Sequence, residues 1–177
     1  KYLKDAITAS EAIITAGQFA LTDGAEGYRA NYNSLDLAGN KEMIMYKKYV
    51  VGLLYHATQD YCCGSTQTNG LSRSAFNAYL MADGSRFTDK PGYENMEFAE
   101  QVSGRDPRLA QTMRTPGFKR IDSDVTEPLR LNFSVTGYQI TKYVHSINAG
   151  ADTYGRSYND LPIFRTAEVY LNFAEAK

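Results

Sequence analysis

Apolar residues recur at three- and four-residue spacing at both ends of the chain. Near the start, this spacing predicts an amphipathic helix over residues 4–22, with Gly24 as its C-terminal stop. Near the end, an apolar stripe predicts a second helix over residues 164–177. Each stripe would be exposed if its helix stood alone, so we expect the two helices to pack against each other.

Between these helices the pattern changes to short segments separated by long polar loops. Residues 25–40 and 58–70 are rich in Gly and polar side chains, which is typical of loops, and one turn of helix fits within the first of them around Tyr28 to Leu35. Strand-forming residues predict an extended segment from Met43 to Val51. The other predicted elements are, in chain order, a helix capped by Ser72 that runs to Met81, a short helix over 94–102, an extended run over 105–114, a turn at 115–117, a strand over 137–144 and a loop over 145–161. The pattern therefore predicts a loop-rich lobe, about residues 40–160, set on a helical frame.

The composition predicts a folded protein and excludes several classes of partner. Of the 177 residues, 43% are hydrophobic, which is enough to form a core. The 19 basic and 20 acidic side chains are scattered, so we expect no nucleic-acid surface. The longest aromatic and aliphatic run, Tyr49 to Tyr55, is far shorter than the ~20 residues of a membrane-spanning helix. No signal peptide opens the chain and a helical pattern still runs at Lys177, so we expect a piece of a longer protein.

The sequence offers little for catalysis. Glycosidase chemistry needs two carboxyl groups that face each other across a sugar bond, whereas local pairs such as Glu97 and Glu100 are expected to face solvent. His56 and His145 have no second metal ligand at a suitable spacing, and no Gly-x-Ser-x-Gly motif is present. We therefore expect no catalytic residue, no metal site and no cofactor.

Six segments resemble motifs of the SusD/RagB family, in the same order as in that family. Residues 161–177, LPIFRTAEVYLNFAEAK, are similar to its PIxRxAEVxLxxAEA helix, which is a very specific match. The other five are residues 16–21 (AGxYxL), 40–44 (N-x-E-x-I), 79–84 (Y-x-M-x-D-G), 104–117 (RDPRL followed by PG) and 136–142 (GYxxxKY). Together the segments cover nearly the whole chain, and their ordered combination is more specific than any one of them.

The resemblance implies both a fold and a function. The fold would be mainly α, with a tetratricopeptide-like α/α frame and a loop-rich lobe with short β-strands; residues 1–177 would be one irregular α+β piece of such a domain. The function would be that of a non-enzymatic, cell-surface lipoprotein, tethered to the outer membrane by an N-terminal lipidated cysteine, which passes glycans to a SusC-like TonB-dependent transporter. Two alternatives stay open: peptide capture, as in RagB-like members, and a structural lid without its own ligand.

The charged residues of these motifs are expected to lock the lobe to the helix rather than to bind a ligand. An aspartate before a proline can cap a turn, and the nearby arginines can pair with carboxylates such as Glu168 or Glu175. Arg165 and Glu168 lie one turn apart in the predicted helix and can pair on one face. The residues concerned are Arg105, Asp106, Arg108, Arg165 and Glu168.

Glycan binding is expected at loop aromatics with polar neighbours, because a sugar ring presents C–H faces and hydroxyl edges together. The chain has 14 Tyr, 8 Phe and no Trp, and tyrosine offers an apolar face with a polar tip. No motif of the family fixes the ligand residues, so none is carried over by position. The candidates are His56, Asp60, Tyr61 and Arg73 in or near the loop at 56–73, and Tyr154 and Tyr158 in the loop at 145–161.

Cys62 and Cys63 are the only cysteines, and they are adjacent. In an exported protein, three states are open: a vicinal disulfide, two reduced thiols, or pairing with a cysteine elsewhere in a longer protein. A vicinal ring is strained because neighbouring Cα atoms are only ~3.8 Å apart, but the following Gly64 would tolerate a kinked peptide. Such a ring would hold Tyr61 in one orientation.

Overall fold

Seven α-helices and one two-stranded sheet form the regular structure of residues 1–63, 69–130 and 134–177, which the computed structural model describes apart from the side chains of Ala25 and Cys63. The helices are α1 (Tyr2–Ala16), α2 (Gly24–Asn33), α3 (Thr58–Cys63), α4 (Arg73–Ala78), α5 (Phe98–Val102), α6 (Pro107–Thr112) and α7 (Thr166–Ala176). The strands are β1 (Met43–Lys47) and β2 (Leu161–Arg165). Long irregular connections join these elements, so the fold is irregular α+β, as predicted.

Helices α1 and α7 pack against each other, as their apolar stripes predict. Lys177 Nζ also lies 3.7 Å from a carboxylate oxygen of Glu11. α1 is shorter than predicted, because Gly17 takes a left-handed conformation (φ 62°) and its N–H donates to the carbonyl of Ile14. Glycine adopts this conformation without steric cost, so the helix ends at Ala16 rather than near residue 22.

The two strands are antiparallel and connect the first third of the chain to the last helix. Met43 lies opposite Arg165 in the sheet. β2 therefore includes residues that the sequence pattern assigned to the first turn of the last helix. At the end of β2, the Thr166 N–H donates to the carbonyl of Glu42 at 2.9 Å, and α7 begins at Thr166.

Three helices lie where loops or extended chain were predicted. α2 falls largely within the first predicted loop, where it is longer than the single turn of helix expected around Tyr28 to Leu35. α3 falls within the second predicted loop, and α6 falls within the run predicted to be extended. In α6, the Asp106 side chain accepts the N–H of Arg108 at 2.9 Å and Pro107 occupies the first turn, so the cap is the one predicted but it starts a helix. In α2, Tyr28 and Tyr32 share one face, with ring centroids 5.4 Å apart, a four-residue spacing that indicates a helix.

The strand predicted over residues 137–144 does not form. Within this segment Ile140 makes a single β-bridge to Met113, and Tyr143 has a positive φ of 71° that interrupts extended chain. The N–H groups of Thr141 and Lys142 instead both donate to the carbonyl of Thr112, at 2.9 and 3.2 Å. The segment is therefore a loop held against the end of α6.

Three shorter predictions are confirmed. Ser72 caps α4 by accepting the N–H of Ala75 at 3.2 Å. The turn at 115–117 forms. The helix predicted over residues 94–102 forms in its second half, as α5. α5 begins with a capping box between Glu97 and Glu100, so these two carboxylates accept backbone N–H groups at the start of the helix.

The core lies in the loop-rich middle of the chain. Its larger cluster consists of the buried side chains of Phe76, Met81, Phe87, Leu109, Met113 and Tyr138. The guanidinium of Arg105 lies against two of these rings, with Cζ 4.7 Å from the centroid of Phe76 and 4.0 Å from that of Phe87. A smaller cluster of Phe118 and Val144 packs against Cys62 and so holds α3.

Candidate functional site

Two exposed tyrosines meet at the surface: Tyr61 in the last turn of α3, and Tyr154 in the loop before β2. Their ring centroids are 6.3 Å apart and the ring planes are at 74°. Tyr61 is 40% exposed and Tyr154 is 65% exposed. A hydrogen bond with the Tyr154 side chain raises the pKa of Tyr61, so the phenol stays neutral at ordinary pH. We call these two residues the tyrosine pair.

Gln59 ties α3 to the loop that carries Tyr154. Its side-chain amide donates to the Ser146 carbonyl and to an Asp152 carboxylate oxygen, both at 2.6 Å. Its amide oxygen accepts the N–H of His145 at 2.8 Å. Gln59 is fully buried, so these bonds hold helix and loop in one arrangement.

Arg120 fixes the same loop from the protein interior. Its guanidinium donates to both carboxylate oxygens of Asp152, at 2.6 and 2.9 Å, and to the Ser146 carbonyl at 3.1 Å. Arg120 also forms an ion pair with Glu127. Burial alone would raise the pKa of the Glu127 carboxyl, but the hydrogen bond and the charge of Arg120 have the larger effect and hold this pKa below its usual range. Because a bidentate pair has a fixed geometry, Tyr154, two residues after Asp152, lies on an anchored loop.

His56 bonds to other parts of the protein and Asp60 is buried, and their assignment as ligand residues stays a prediction. The Nδ1 atom of His56 accepts the N–H of Thr58 at 3.1 Å, and Nε2 lies 2.9 Å from the carbonyl of Asn159, so the ring is neutral with its proton on Nε2. Burial lowers the pKa of His56. Asp60 is 4% exposed. The two contacts of His56 fix the orientation of its ring.

Arg73 and Tyr158 contact other parts of the protein, and their assignment as ligand residues stays a prediction. Arg73 donates to the hydroxyl of Tyr138 at 2.5 Å, at the edge of the larger core cluster. Tyr158 is buried, and its ring packs edge-on against His145 with centroids 4.7 Å apart. Of the six candidates, the structure thus brings Tyr61 and Tyr154 together at the surface.

The two cysteines lie in the last turn of α3, not in a loop. Cys62 packs against Phe118 and Val144, and burial raises the pKa of its thiol to about 12. A thiol in this environment is unreactive. The side chain of Cys63 lies outside the described residues, so the vicinal disulfide stays a prediction.

His145 is a buried histidine next to the anchored loop. The residue is fully buried, and neither ring nitrogen has a hydrogen-bond partner in the described part of the chain. Burial lowers its pKa to about 4, so the ring is neutral in the folded protein. The contact with Tyr158 and the bond from its backbone N–H to Gln59 hold His145 in this position.

We expect His145 to make the fold sensitive to mild acid. An unfolded histidine binds a proton near pH 6.5, whereas folded His145 does so only near pH 4. Between these values the unfolded chain binds more protons, so stability falls as the pH falls, by roughly 2 kcal/mol between pH 7 and pH 5. Urea unfolding at both pH values measures this, and His145→Asn should remove most of the difference; an unchanged difference in the variant would contradict the assignment.

Arg105 and Arg108 do not make the predicted pairs with α7. Arg105 donates to the carbonyls of Phe76 and Tyr79, at 2.7 and 2.8 Å, and is 6% exposed. Arg108 pairs with Asp106, the residue that caps its own helix. Both residues thus have their partners within the lobe rather than on α7.

Arg165 pairs with Glu42 instead of the predicted Glu168. It is the last residue of β2, so it does not occupy a helical position one turn before Glu168. Arg165 Nη1 lies 2.5 Å from Glu42 Oε1, and Glu42 Oε2 accepts the N–H of Thr22 at 2.9 Å. Glu42 thus joins three segments that are far apart in sequence.

A cleft of about 430 Å³ opens beside this ion pair, lined in part by Tyr28, Arg108, Arg165 and Leu171. Both arginines already pair with carboxylates, Arg108 with Asp106 and Arg165 with Glu42. Because these charges are compensated, the cleft does not present a bare cationic site. The tyrosine pair remains the better candidate for ligand contact.

The described residues include neither a metal-ligand cluster nor a membrane-spanning helix. No group of three or more His, Cys, Asp or Glu side chains among them is placed to hold a metal ion. Over the same residues, no helix is both long enough and apolar enough to cross a membrane. The tyrosine pair can stack on an apolar face and can donate or accept through its hydroxyls.

Comparison with known proteins identifies the family. The sequence model of the SusD family matches residues 11–177. The chain belongs to the SusD family. Two solved structures from Bacteroides fragilis have a similar fold, each with a TM-score of 0.69. The first is a SusD-like protein with 24% sequence identity, and the match covers 99% of this chain and 39% of that protein's chain. The second is a SusD-like carbohydrate-binding protein with 20% sequence identity, and the match covers 98% of this chain and 36% of that protein's chain.

The chain therefore spans less than two fifths of the length of these SusD-like structures. A search of curated proteins found no match. The resemblance noted in the sequence motifs is confirmed at the level of the SusD family and its fold.

Sequence reasoning missed the residues that build the site of this SusD-family chain. Gln59, Arg120 and Asp152 hold the tyrosine pair, yet they are separated by 32 to 93 residues along the chain. A prediction of helix for residues 58–63, instead of loop, would have placed Gln59 and Tyr61 on one rigid element and so indicated part of the site. Arg120 and Asp152 lie in irregular chain, where no periodicity marks a partner.

Proposed function

We propose that the protein binds glycans at the cell surface, through the tyrosine pair, and passes them to a SusC-like TonB-dependent transporter. Membership of the SusD family and the likeness to a SusD-like carbohydrate-binding protein support this proposal. The observation that carries it is the exposed, nearly perpendicular arrangement of Tyr61 and Tyr154 on anchored elements.

The geometry of the pair suits a sugar ring. One tyrosine face can lie against the C–H face of a sugar, while the hydroxyl of the other reaches its hydroxyl edge. Gln59 and Arg120 fix the two supporting segments before a ligand arrives. A preformed site of this kind loses less conformational freedom on binding, which favours affinity.

The proposed role is non-catalytic. Hydrolysis of a glycosidic bond requires two carboxyl groups on either side of it. Asp60, which precedes Tyr61, is buried, and Asp152, near Tyr154, is held by Arg120 through both oxygens. Neither carboxylate is placed to protonate a glycosidic oxygen, which supports binding without turnover.

The proposal includes a location and a partner. The family resemblance implies an outer-membrane lipoprotein exposed on the cell surface, beside its transporter. Residues 1–177 form one piece of the SusD-like domain, in which α1 and α7 belong to the helical frame and about 40–160 to the ligand-binding lobe. Copurification of the full-length protein with an outer-membrane transporter tests this arrangement.

Titration calorimetry with oligosaccharides selected on a glycan array tests the ligand class. We expect saturable binding, and about tenfold weaker binding for Tyr61→Ala or Tyr154→Ala, because each removes one aromatic contact worth about 1.4 kcal/mol. Tyr170→Ala is the matched control, since Tyr170 is also 40% exposed but lies on α7.

The outcomes separate the alternatives. Binding of peptides but not of glycans would support a RagB-like role, and binding of neither would support a structural lid. Glycan binding that both tyrosine variants retain in full would remove the tyrosine pair as the site.

A further inference from the structure

A short apolar projection follows β1, formed by residues 50–54 and called here the apolar tip. Its four aliphatic side chains are all exposed, and Leu53 reaches 84%. Val50 and Leu54 form a β-bridge with backbone hydrogen bonds of 3.2 and 2.9 Å, so the tip is a closed turn. Gly52, with a φ of 85°, permits the reversal of the chain.

The base of the apolar tip is fixed to the rest of the fold. The N–H of Tyr49 donates to the buried carboxylate of Asp160 at 2.8 Å. On the other side, His56 and Ser157 exchange two backbone hydrogen bonds, both 2.9 Å. The rings of Tyr49 and His56 also meet edge-on, with centroids 4.4 Å apart. The tip therefore projects from a rigid base, and its exposed side chains are held out of the core.

Aromatic and cationic side chains surround this base. Lys47 Nζ lies 5.4 Å from the centroid of the Tyr49 ring, and Arg156 Cζ lies 5.4 Å from that of Tyr55. Neither cation forms a salt bridge with a carboxylate within residues 1–63, 69–130 and 134–177. Two tyrosines and two cationic side chains therefore lie next to the apolar tip.

We propose that the apolar tip inserts into the surface of a membrane with anionic headgroups. Aliphatic side chains favour the acyl boundary, tyrosines favour the headgroup level, and lysine and arginine pair with anionic lipids. The apolar tip and its base present all three kinds of side chain. A protein partner fits less well, because four projecting side chains are far fewer than the 20–30 residues per side of a standard interface.

This contact is independent of glycan binding, because the tyrosine pair does not include any residue of the apolar tip. It would hold the protein in one orientation at a membrane, with Leu53 and Val51 entering first. Shallow insertion adds to any other attachment, since binding strength grows with buried apolar area and with the number of paired charges.

Tryptophan fluorescence provides a direct test, because the chain contains no Trp. Leu53→Trp places a single reporter at the apolar tip, and Ile147→Trp places a control at another exposed aliphatic position, 60% exposed. With vesicles that contain phosphatidylglycerol, we expect a blue shift of the emission for Leu53→Trp and none for Ile147→Trp. No shift at Leu53→Trp, or an equal shift in both, would overturn the proposal.

Vesicle co-sedimentation of the unlabelled protein measures the energetics. Leu53→Ser should weaken partitioning to phosphatidylglycerol vesicles about tenfold, and Lys47→Gln or Arg156→Gln about fivefold each. Lys4→Gln on α1 makes the same change in net charge and should have no effect. The proposal is contradicted if the wild type and Leu53→Ser sediment with the vesicles to the same extent. It is also contradicted if the wild type sediments equally well with vesicles of pure phosphatidylcholine. Calorimetry with glycan on the same preparations reports separately on the tyrosine pair.

Discussion

Replacing Arg105 with methionine is expected to lower the free energy of unfolding by about 3–5 kcal/mol. The guanidinium donates to the carbonyls of Phe76, Tyr79 and Gln101, at 2.7, 2.8 and 2.9 Å. Methionine fills a similar volume but donates nothing, so three carbonyls in or near the core lose a charged donor. The stacking of the cation on Phe87 and Phe76 is lost as well.

Urea unfolding followed by circular dichroism measures this effect, with Arg108→Met as the matched control. Arg108 belongs to the same motif, but its side chain is 60% exposed and pairs with Asp106 at the surface. Its loss is expected to cost less than about 1 kcal/mol. If the two variants are equally stable, Arg105 does not organise the core as its contacts indicate.

The two residues show what the sequence motif could and could not predict. The RDPRL segment predicted a structural role for both arginines, with carboxylate partners on the last helix, whereas their contacts lie within the lobe. The motif did not distinguish the buried arginine from the exposed one, because both follow the same short pattern. The difference arises from α6, which was predicted to be extended: once Asp106 caps a helix, Arg105 precedes it and turns inward while Arg108 lies on its surface.

The same limit applies to the tyrosine pair. The sequence placed Tyr154 and Tyr158 in one loop rich in Gly, Asn and Asp, which has no periodicity from which to predict an inward or outward face. In the structure Tyr154 is 65% exposed, and Tyr158 is 7% exposed. The position of each depends on where Arg120 and Gln59 hold Asp152, and such long-range hydrogen bonds leave no local signal.

Regular elements with a clear period were predicted best. The packing of α1 on α7 followed from two apolar stripes, each of which needs a partner. Their boundaries were less accurate, since Gly17 ends α1 early and β2 takes residues before α7. The pairing of Arg165 with Glu42 spans 123 positions in the sequence, so local spacing favoured Glu168 incorrectly.

Glu42→Gln is expected to lower the free energy of unfolding by about 3 kcal/mol, because it leaves Arg165 without its buried anion. The Glu42 side chain is 4% exposed and accepts hydrogen bonds from the backbone and hydroxyl of Thr22 as well as from Arg165. A glutamine can reproduce only one oxygen acceptor, and its NH₂ group then faces a donor. The change therefore weakens the connection between the Thr22 segment, β1 and β2.

The acid dependence of stability provides a second measurement of the same ion pair. Burial opposes ionisation of Glu42, but hydrogen bonds from Thr22 and the charge of Arg165 outweigh it, so its pKa lies below the usual 4.5. A lowered pKa means that this contribution is complete above pH 4.5 and is lost as the pH falls through the folded-state value. Stability measured by urea unfolding from pH 6 to pH 3 should show this loss in the wild type and less of it in Glu42→Gln. The control is Asp36→Asn, which breaks the exposed ion pair with Lys48 and should leave stability at neutral pH almost unchanged. If Asp36→Asn and Glu42→Gln lower stability equally, the ion pair of Glu42 is no stronger than one at the surface.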